Sequence, residues 1–369
     1  MPPSRLQSAI LDPRPLILEF ISTANLAVFD DTIFNDLAVR LFRYQFRHNA
    51  VYRRFCMQAS PAVTEPKTWR EIPAVTTSAF KYVPLACFPP EHAVAEFHTS
   101  GTTMQHSGKH YFQDLMFYRS ALLRSFRAYC LPDREKMRML FLGPTAGHFP
   151  HSSLGYMFSA VRDEFGAEGS AAFFTSEKLM LPDFFGALDS AMQKQEPFFI
   201  LGTAFNLLQC VDELPAHGQR MTLPAGSRIL DTGGYKGRTR EAPRAEFQKL
   251  LCENFGITKE FLLNEYGMTE LSSQFYESQL PGLPLQDERD NIKFMPPWVR
   301  VLAVNPENLQ PLPAGEIGML RIFDLANIDS VLAIQTEDLG RAWQDRIELL
   351  GRASGAELRG CSLLTESIV

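Results

Sequence analysis

Between Phe97 and Phe112 the chain reads "FHTSGTTMQHSGKHYF", with Thr99, Ser100, Gly101, Thr102 and Thr103 in succession. Hydroxyls and unencumbered backbone N–H groups at this density suit phosphate oxygens when the backbone folds into a concave nest. The string lacks GxxxxGK[ST], so it is not a Walker loop. A polar hairpin explains the same residues equally well. Further on, "NEYGMTELSSQ" (Asn264 to Gln274) sets a hydroxyl, Thr269, beside a carboxylate, Glu270. That pair suits a nucleoside triphosphate, with Thr269 on a phosphate and Glu270 on Mg2+. Tyr266 offers a flat face to an adenine, and Gly267 follows it. Taken alone, the string also fits a capped strand-to-helix turn.

Three weaker signals complete the set. "SRILDTGGYKGR" (Ser227 to Arg238) ends in Gly233 and Gly234, which let a planar ligand approach the backbone, and Lys236 adds a point charge. "IQTEDLG" (Ile334 to Gly340) places Asp338 where a carboxylate can take both hydroxyls of a ribose. "LLGR" ends at Arg352. Each alone is an ordinary turn; their order along the chain carries the information.

The elements that must position these residues follow from apolar periodicity. A helix is expected over Phe34 to Gln58, then a Pro-broken connection. Short apolar runs then alternate with helical patterns. Strands are expected within Ala93–Ser100, Met137–Gly143, Pro197–Ala204 and Ser227–Gly234. Helices are expected within Phe112–Cys130, Ser152–Gly166, Phe205–Leu214 and Arg244–Gly256. Such alternation implies crossover units, with helices against sheets. After Ser273 the runs Trp298–Pro306, Gly315–Leu325, Ser330–Gly340 and Arg346–Arg352 read as successive strands, a β-rich final third. Four Phe-rich stretches, including "DFFGAL" and "EPFFILGTAF", suit either an acyl pocket or simple core.

Composition narrows the class. The 369 residues carry a net charge of −6, which argues against a surface that coats nucleic acid. No apolar run reaches the ~18 residues of a membrane span, and the first residues lack a secretory pattern. The six cysteines show no CxxC pair and the eight histidines no zinc-ligand spacing. Reduced thiols in a cytoplasm are expected.

An [ST]-S-G-T-T loop, then GG, YGxTE, TxDxG and GR, in that order, resembles the adenylate-forming superfamily of acyl-CoA synthetases. The closest resemblance is to the acyl-protein synthetase (LuxE) family, related to the phenylacetate–CoA ligases. It covers nearly the whole chain, through "HTSGTT", "HSSLGYM", "FILGTAF", "DTGGYKGR", "NEYGMTELSSQFY", "TEDLGR" and "GRASGAELRGCSL". The resemblance implies an α/β large domain over residues 1–351 and a short tail, 352–369, carrying Cys361. It also implies that ATP and Mg2+ activate a carboxylic, and specifically a fatty, acid as acyl-AMP. A thiol then takes the acyl group for a protein acceptor such as a reductase. Cys361 is the expected thiol: Arg359 favours its thiolate, while Gly355 and Gly360 free the segment. Two departures stand out. "MQHSGKH" replaces the usual GxPK, leaving His106 and Lys109. The mobile C-terminal domain with its lysine is also missing, and Lys236 is the expected substitute. Transfer to coenzyme A or an amine is the alternative chemistry, and a non-catalytic nucleotide-binding partner the alternative class.

Overall fold

The computed structural model describes residues 12–59, 65–99, 107–176, 178–214, 221–233, 243–287 and 289–353. By contact the chain divides into two compact units. One comprises Met1–Arg124, Met268–Gln274 and Arg289–Val369, the other Ser125–Gly267 and Phe275–Glu288.

The first unit opens with α1 (Arg14–Thr23), α2 (Asp31–His48) and α3 (Ala50–Ala59). Asp30 caps α2 by accepting the N–H groups of Thr32 and Ile33. Phe34, Leu37, Ala38, Leu41, Phe42 and Gln45 bury one face of α2 at helical spacing. The single helix expected over Phe34–Gln58 is therefore two. It breaks at Asn49, a fully buried residue with φ −102° and ψ 99°. The Asn49 side chain accepts the Tyr52 N–H at 2.9 Å, capping the next helix instead of continuing the first.

Strand β1 (Val75–Thr76) precedes a hairpin of β2 (Ala95–His98) and β3 (Lys109–Phe112). Period-2 alternation buries Phe97, His110 and Phe112 on one face and leaves Glu96, His98 and Lys109 half-exposed on the other. The β3 half of this hairpin is absent from the element reading of the sequence, since four residues beside a glycine-rich loop carry little periodic signal. Helix α4 (Met116–Cys130) follows.

The second unit is crossover-built. Its elements run β4 (Arg138–Leu142), α5 (Ser153–Phe165), β5 (Ala171–Ala172), α6 (Leu181–Gln193), β6 (Phe198–Thr203) and α7 (Ala204–Glu213). They continue with β7 (Arg228–Thr232), α8 (Arg244–Phe255), β8 (Leu262–Tyr266) and β9 (Phe275–Glu277). The strand order is β5-β4-β6-β7-β8-β9, parallel except for β9. Strands β4, β6 and β7 are nearly continuous buried runs, as a parallel sheet covered on both faces requires. Helix α6 was not among the expected elements: its "DFFGAL" belongs to a helix whose Phe184, Phe185 and Leu188 pack into the core with Leu140, Leu142 and Ile200. Met157, Phe158, Phe198 and Phe199 are likewise core side chains.

The chain then returns to the first unit as β10 (Ile292–Phe294), β11 (Val299–Val304), β12 (Gly318–Asp324), β13 (Ala333–Ala342) and β14 (Arg346–Arg352). These form the antiparallel order β11-β12-β13-β14-β10, with β1 added parallel to β13. The fold is α/β with a β-rich final third. Among the described residues no helix is long and apolar enough to cross a membrane.

Candidate active site

In the first unit, Thr99 closes the stem of the serine- and threonine-rich loop. Its N–H donates to the Gly108 carbonyl at 2.9 Å, and its hydroxyl accepts the Gly108 N–H at 2.8 Å. Ser100, Gly101, Thr102 and Thr103 lie outside the described residues, as do Gly234, Lys236 and Cys361.

The Thr269–Glu270 pair is anchored from two directions. On one side the Thr269 hydroxyl donates to the His98 carbonyl at 3.3 Å, and the Thr269 carbonyl accepts from His110 Nδ1 at 2.9 Å. On the other, Asn327 Nδ2 donates to the Glu270 carbonyl at 2.9 Å. Asp324, fully buried, accepts the Ser272 N–H at 3.0 Å and the Ser273 hydroxyl at 2.8 Å. Burial raises the Asp324 carboxyl to about 6. The segment is thus a strap stretched between the β2–β3 hairpin and the turn after β12.

Glu270 itself is 7% exposed. Burial pushes its carboxyl up to about 7, against an opposing pull from its own backbone N–H. The charges of Arg352, Asp338 and Lys81 also act on it, so these groups surround it at electrostatic range. No other residue's side chain hydrogen-bonds or ion-pairs with this carboxylate among the described residues. A buried carboxylate without a bonded counter-charge is costly, and a hard divalent cation with oxygen ligands relieves that cost. Glu270 therefore fits Mg2+.

Asp338 and Arg352 are cross-strand partners on β13 and β14, with Arg352 Nε 3.4 Å from Asp338 Oδ1. The Asp338 N–H donates to the Thr336 hydroxyl, which fixes its backbone at the strand bend. Glu270, Asp338 and Arg352, far apart in sequence, are thus brought together in one unit.

In the second unit, Gly233 follows β7 with φ +67°, a left-handed conformation that favours glycine, and no atom of the described residues lies within 4 Å of where a Cβ would stand. Tyr266 ends β8, its ring 5.5 Å from Phe275 at 60°, and Gly267 beyond it is exposed. Strands β7 and β8 are adjacent and parallel, with Thr232 opposite Glu265. Gly233, Tyr266 and Gly267 therefore share the carboxyl end of the sheet, where open α/β sheets take ligands. Beneath them is a polar network that sequence reasoning missed. Arg244 donates to Asp231 (2.9 and 3.0 Å) and Glu277 (3.2 Å), and Asn264 donates to Asp231 at 2.6 Å. Nothing in the local sequence marks these four as partners, because they come from β7, α8, β8 and β9. His110, Asp324 and Asn327 escaped notice for the same reason.

A long-chain-fatty-acid–luciferin-component ligase of Aliivibrio fischeri is 24% identical over 348 residues, covering 89% of this chain and 86% of that protein. The Vibrio harveyi protein of the same description is 23% identical over 336 residues, covering 87% and 84%. Among solved structures, an open conformation of 2-hydroxyisobutyryl-CoA ligase, bound to 2-HIB-AMP and CoA, aligns with a TM-score of 0.65 at 13% identity. That match covers 87% of this chain and 69% of the other. The fold is that of the adenylate-forming ligases. A family model described as "Acyl-protein synthetase, LuxE" matches residues 3–368, and the chain belongs to this family of ATP-dependent acid ligases.

Proposed function

We propose that the protein joins a fatty acid to ATP as acyl-AMP, then stores the acyl group on Cys361 for an acceptor protein such as a reductase. In the first step a carboxylate oxygen of the acid bonds to the α-phosphorus. The bond from that phosphorus to the β-bridging oxygen breaks, and pyrophosphate leaves with the electron pair. In the second, the Cys361 thiolate bonds to the acyl carbon, and AMP leaves with the electrons of the broken C–O bond.

Each step needs charge management, because acid and triphosphate are both anions. Mg2+ held by Glu270 supplies positive charge against them. Thr99, Ser100, Gly101, Thr102, Thr103 and Thr269 present donors to phosphate oxygens. Gly233, Gly234, Tyr266 and Gly267 take the adenine, and Asp338 accepts from the ribose hydroxyls with Arg352 beside it. Lys236 supplies the cation next to the reacting carboxylate. The tail from 352 to 369 is the carrier, and nine residues of extended chain between Arg352 and Cys361 reach up to ~30 Å. This reading places the protein in a cytoplasm, where thiols stay reduced. Cys56, Cys87, Cys130 and Cys210 are buried, and burial raises the Cys56 thiol to about 12, so none of these competes as a nucleophile.

The observation that carries the reading is Glu270, a buried carboxylate without a bonded counter-charge, strapped to the stem of the hydroxyl-rich loop. The test is acid-dependent exchange of labelled pyrophosphate into ATP over carboxylic acids of graded chain length. Exchange that peaks with long-chain acids, with acyl label kept on denatured protein, is expected. No exchange with any acid contradicts the reading. Exchange with label passing only to coenzyme A would assign the second step to a different acceptor.

A further inference from the structure

Among the described residues, two hydrogen bonds tie Thr269, on the strap that bears Glu270, to the loop-bearing hairpin. One goes to the His98 carbonyl at 3.3 Å, the other comes from the His110 ring at 2.9 Å. His98 pairs with Lys109 and Phe97 with His110, so both bonds arise from the last two residue pairs of the stem, immediately below the loop.

The His110 ring is in a defined protonation state. A carbonyl only accepts, so Nδ1 carries the hydrogen and Nε2 is left bare. The ring is 1% exposed, and Nε2 has no partner among the described residues. Phe80 meets it edge-on at 5.7 Å, and Phe112 lies 4.2 Å away at 36°. Burial lowers its pKa to about 4, so the ring stays neutral near pH 7. A hydrocarbon ring would fill this slot between two phenylalanines without stranding a buried nitrogen. What histidine adds to the packing is the hydrogen bond to Thr269.

We propose that His110 is a positioning residue: by holding the Thr269 carbonyl it fixes the residue before Glu270 against the β2–β3 hairpin. This rests on the reading of Glu270 and the loop given above. Asn327 and Asp324 already tie the far side of the strap to the β12 turn. His110 ties the near side, and the residue it holds is the one before the carboxylate. Without it the strap loses the 2.9 Å bond that holds the Thr269 carbonyl to β3. The carboxylate is then free to drift relative to the triphosphate, and misplacements of this kind cost 10–100-fold in metal affinity or rate.

Two substitutions separate positioning from packing. His110→Phe keeps a ring between Phe80 and Phe112 and deletes the donor. His110→Asn loses the ring but returns an N–H near the place of Nδ1. The readouts are hydrogen–deuterium exchange of a peptide spanning 268–274, which needs no catalysis, and the Mg2+ dependence of pyrophosphate exchange. For His110→Phe, the expected result is a melting temperature no lower than wild type, with the 268–274 peptide exchanging about tenfold faster. Half-saturating Mg2+ rises about tenfold, kcat falls about 10–100-fold, and KM for the acid is unchanged. His110→Asn brings both readouts back to within about threefold of wild type. Wild-type peptide exchange in His110→Phe overturns the proposal, as does a His110→Asn protein as impaired as His110→Phe. If His110→Phe fails to fold, His110→Asn decides alone: wild-type values support positioning, and loss of Mg2+ response overturns it. A wild-type protein without any pyrophosphate exchange refutes the functional reading instead, and the clamp is then judged by peptide exchange alone.

Discussion

Asp338 and Arg352 face each other across strands β13 and β14, with Arg352 Nε 3.4 Å from Asp338 Oδ1. The two partners are unequally exposed: the Arg352 side chain is 78% accessible and that of Asp338 14%. A pair this open to water contributes at most ~1 kcal/mol to folding. Both charges act on Glu270, and the proposed role of the pair is therefore tested through ligand binding. Asp338→Asn is expected to leave the melting temperature within about 2 °C of wild type and to raise KM for ATP at least tenfold, about 1.4 kcal/mol of binding. Titration of pyrophosphate exchange against ATP measures it. An unchanged KM removes Asp338 from the nucleotide site.

Glu270 makes an opposite pair of predictions for stability and function. Its carboxyl is raised to about 7 in the folded protein, against 4.5 for the ordinary group. The folded state therefore holds this proton more tightly than the unfolded state. Its contribution is favourable below pH 4.5 and is lost as pH climbs toward 7. Glu270→Gln is expected to stabilise the metal-free protein at pH 8 by about 3 kcal/mol, and hardly at all at pH 4.5. The same substitution is expected to abolish Mg2+-dependent pyrophosphate exchange. In the wild-type protein the Mg2+ requirement is expected to rise as pH falls below 7, since cation and proton would compete for one carboxylate. Denaturant melts at the two pH values decide the matter: a destabilised Glu270→Gln at pH 8 would make the carboxylate structural.

The hydroxyl-rich loop is tested by replacing Thr102 and Thr103 with valine, which keeps shape and removes donors. Adenylation is expected to slow by about 10²–10³, the range found when preorganised donors are deleted. Exchange near the wild-type rate would take these two residues out of the site.

Gly233 and Gly256 share a left-handed backbone, with φ +67° and +61°, but not the same surroundings. Among the described residues a Cβ on Gly233 meets nothing within 4 Å, whereas one on Gly256 falls 2.8 Å from Thr222 Cα and 2.9 Å from the Met221 carbonyl oxygen. Gly233→Ala is expected to cost the conformational penalty alone, about 1–2 kcal/mol. Gly256→Ala, which adds a collision with backbone, is expected to cost more. Equal losses in denaturant unfolding would contradict the difference in packing.

The outline of this fold was legible where periodicity was strong. The buried runs of β4, β6 and β7 and the helices α5 and α8 fall within the stretches expected for them, and α7 starts one residue before its stretch, at Ala204. It failed where one residue overrode a pattern. Asn49 sits inside an apolar repeat that runs through it, and only its cap to Tyr52 shows why the helix stops. The site divides in the same way. Thr269, Glu270, Asp338 and Arg352 were visible as motifs, and the fold supplies their proximity. His110, Asp324 and Asn327 were invisible, because their work is done through contacts with residues roughly 50 to 160 positions away. A lone histidine on a short strand looks like core until its carbonyl partner is known.

Storage of the acyl group on Cys361 is tested most directly by one comparison. Wild-type protein and Cys361→Ser are incubated with ATP, Mg2+ and a labelled long-chain acid, and hydroxylamine-labile label on the denatured protein is counted beside pyrophosphate exchange. The expected result is exchange at the wild-type rate in Cys361→Ser with no hydroxylamine-labile label. Label attached to Cys361→Ser in wild-type amounts would contradict it.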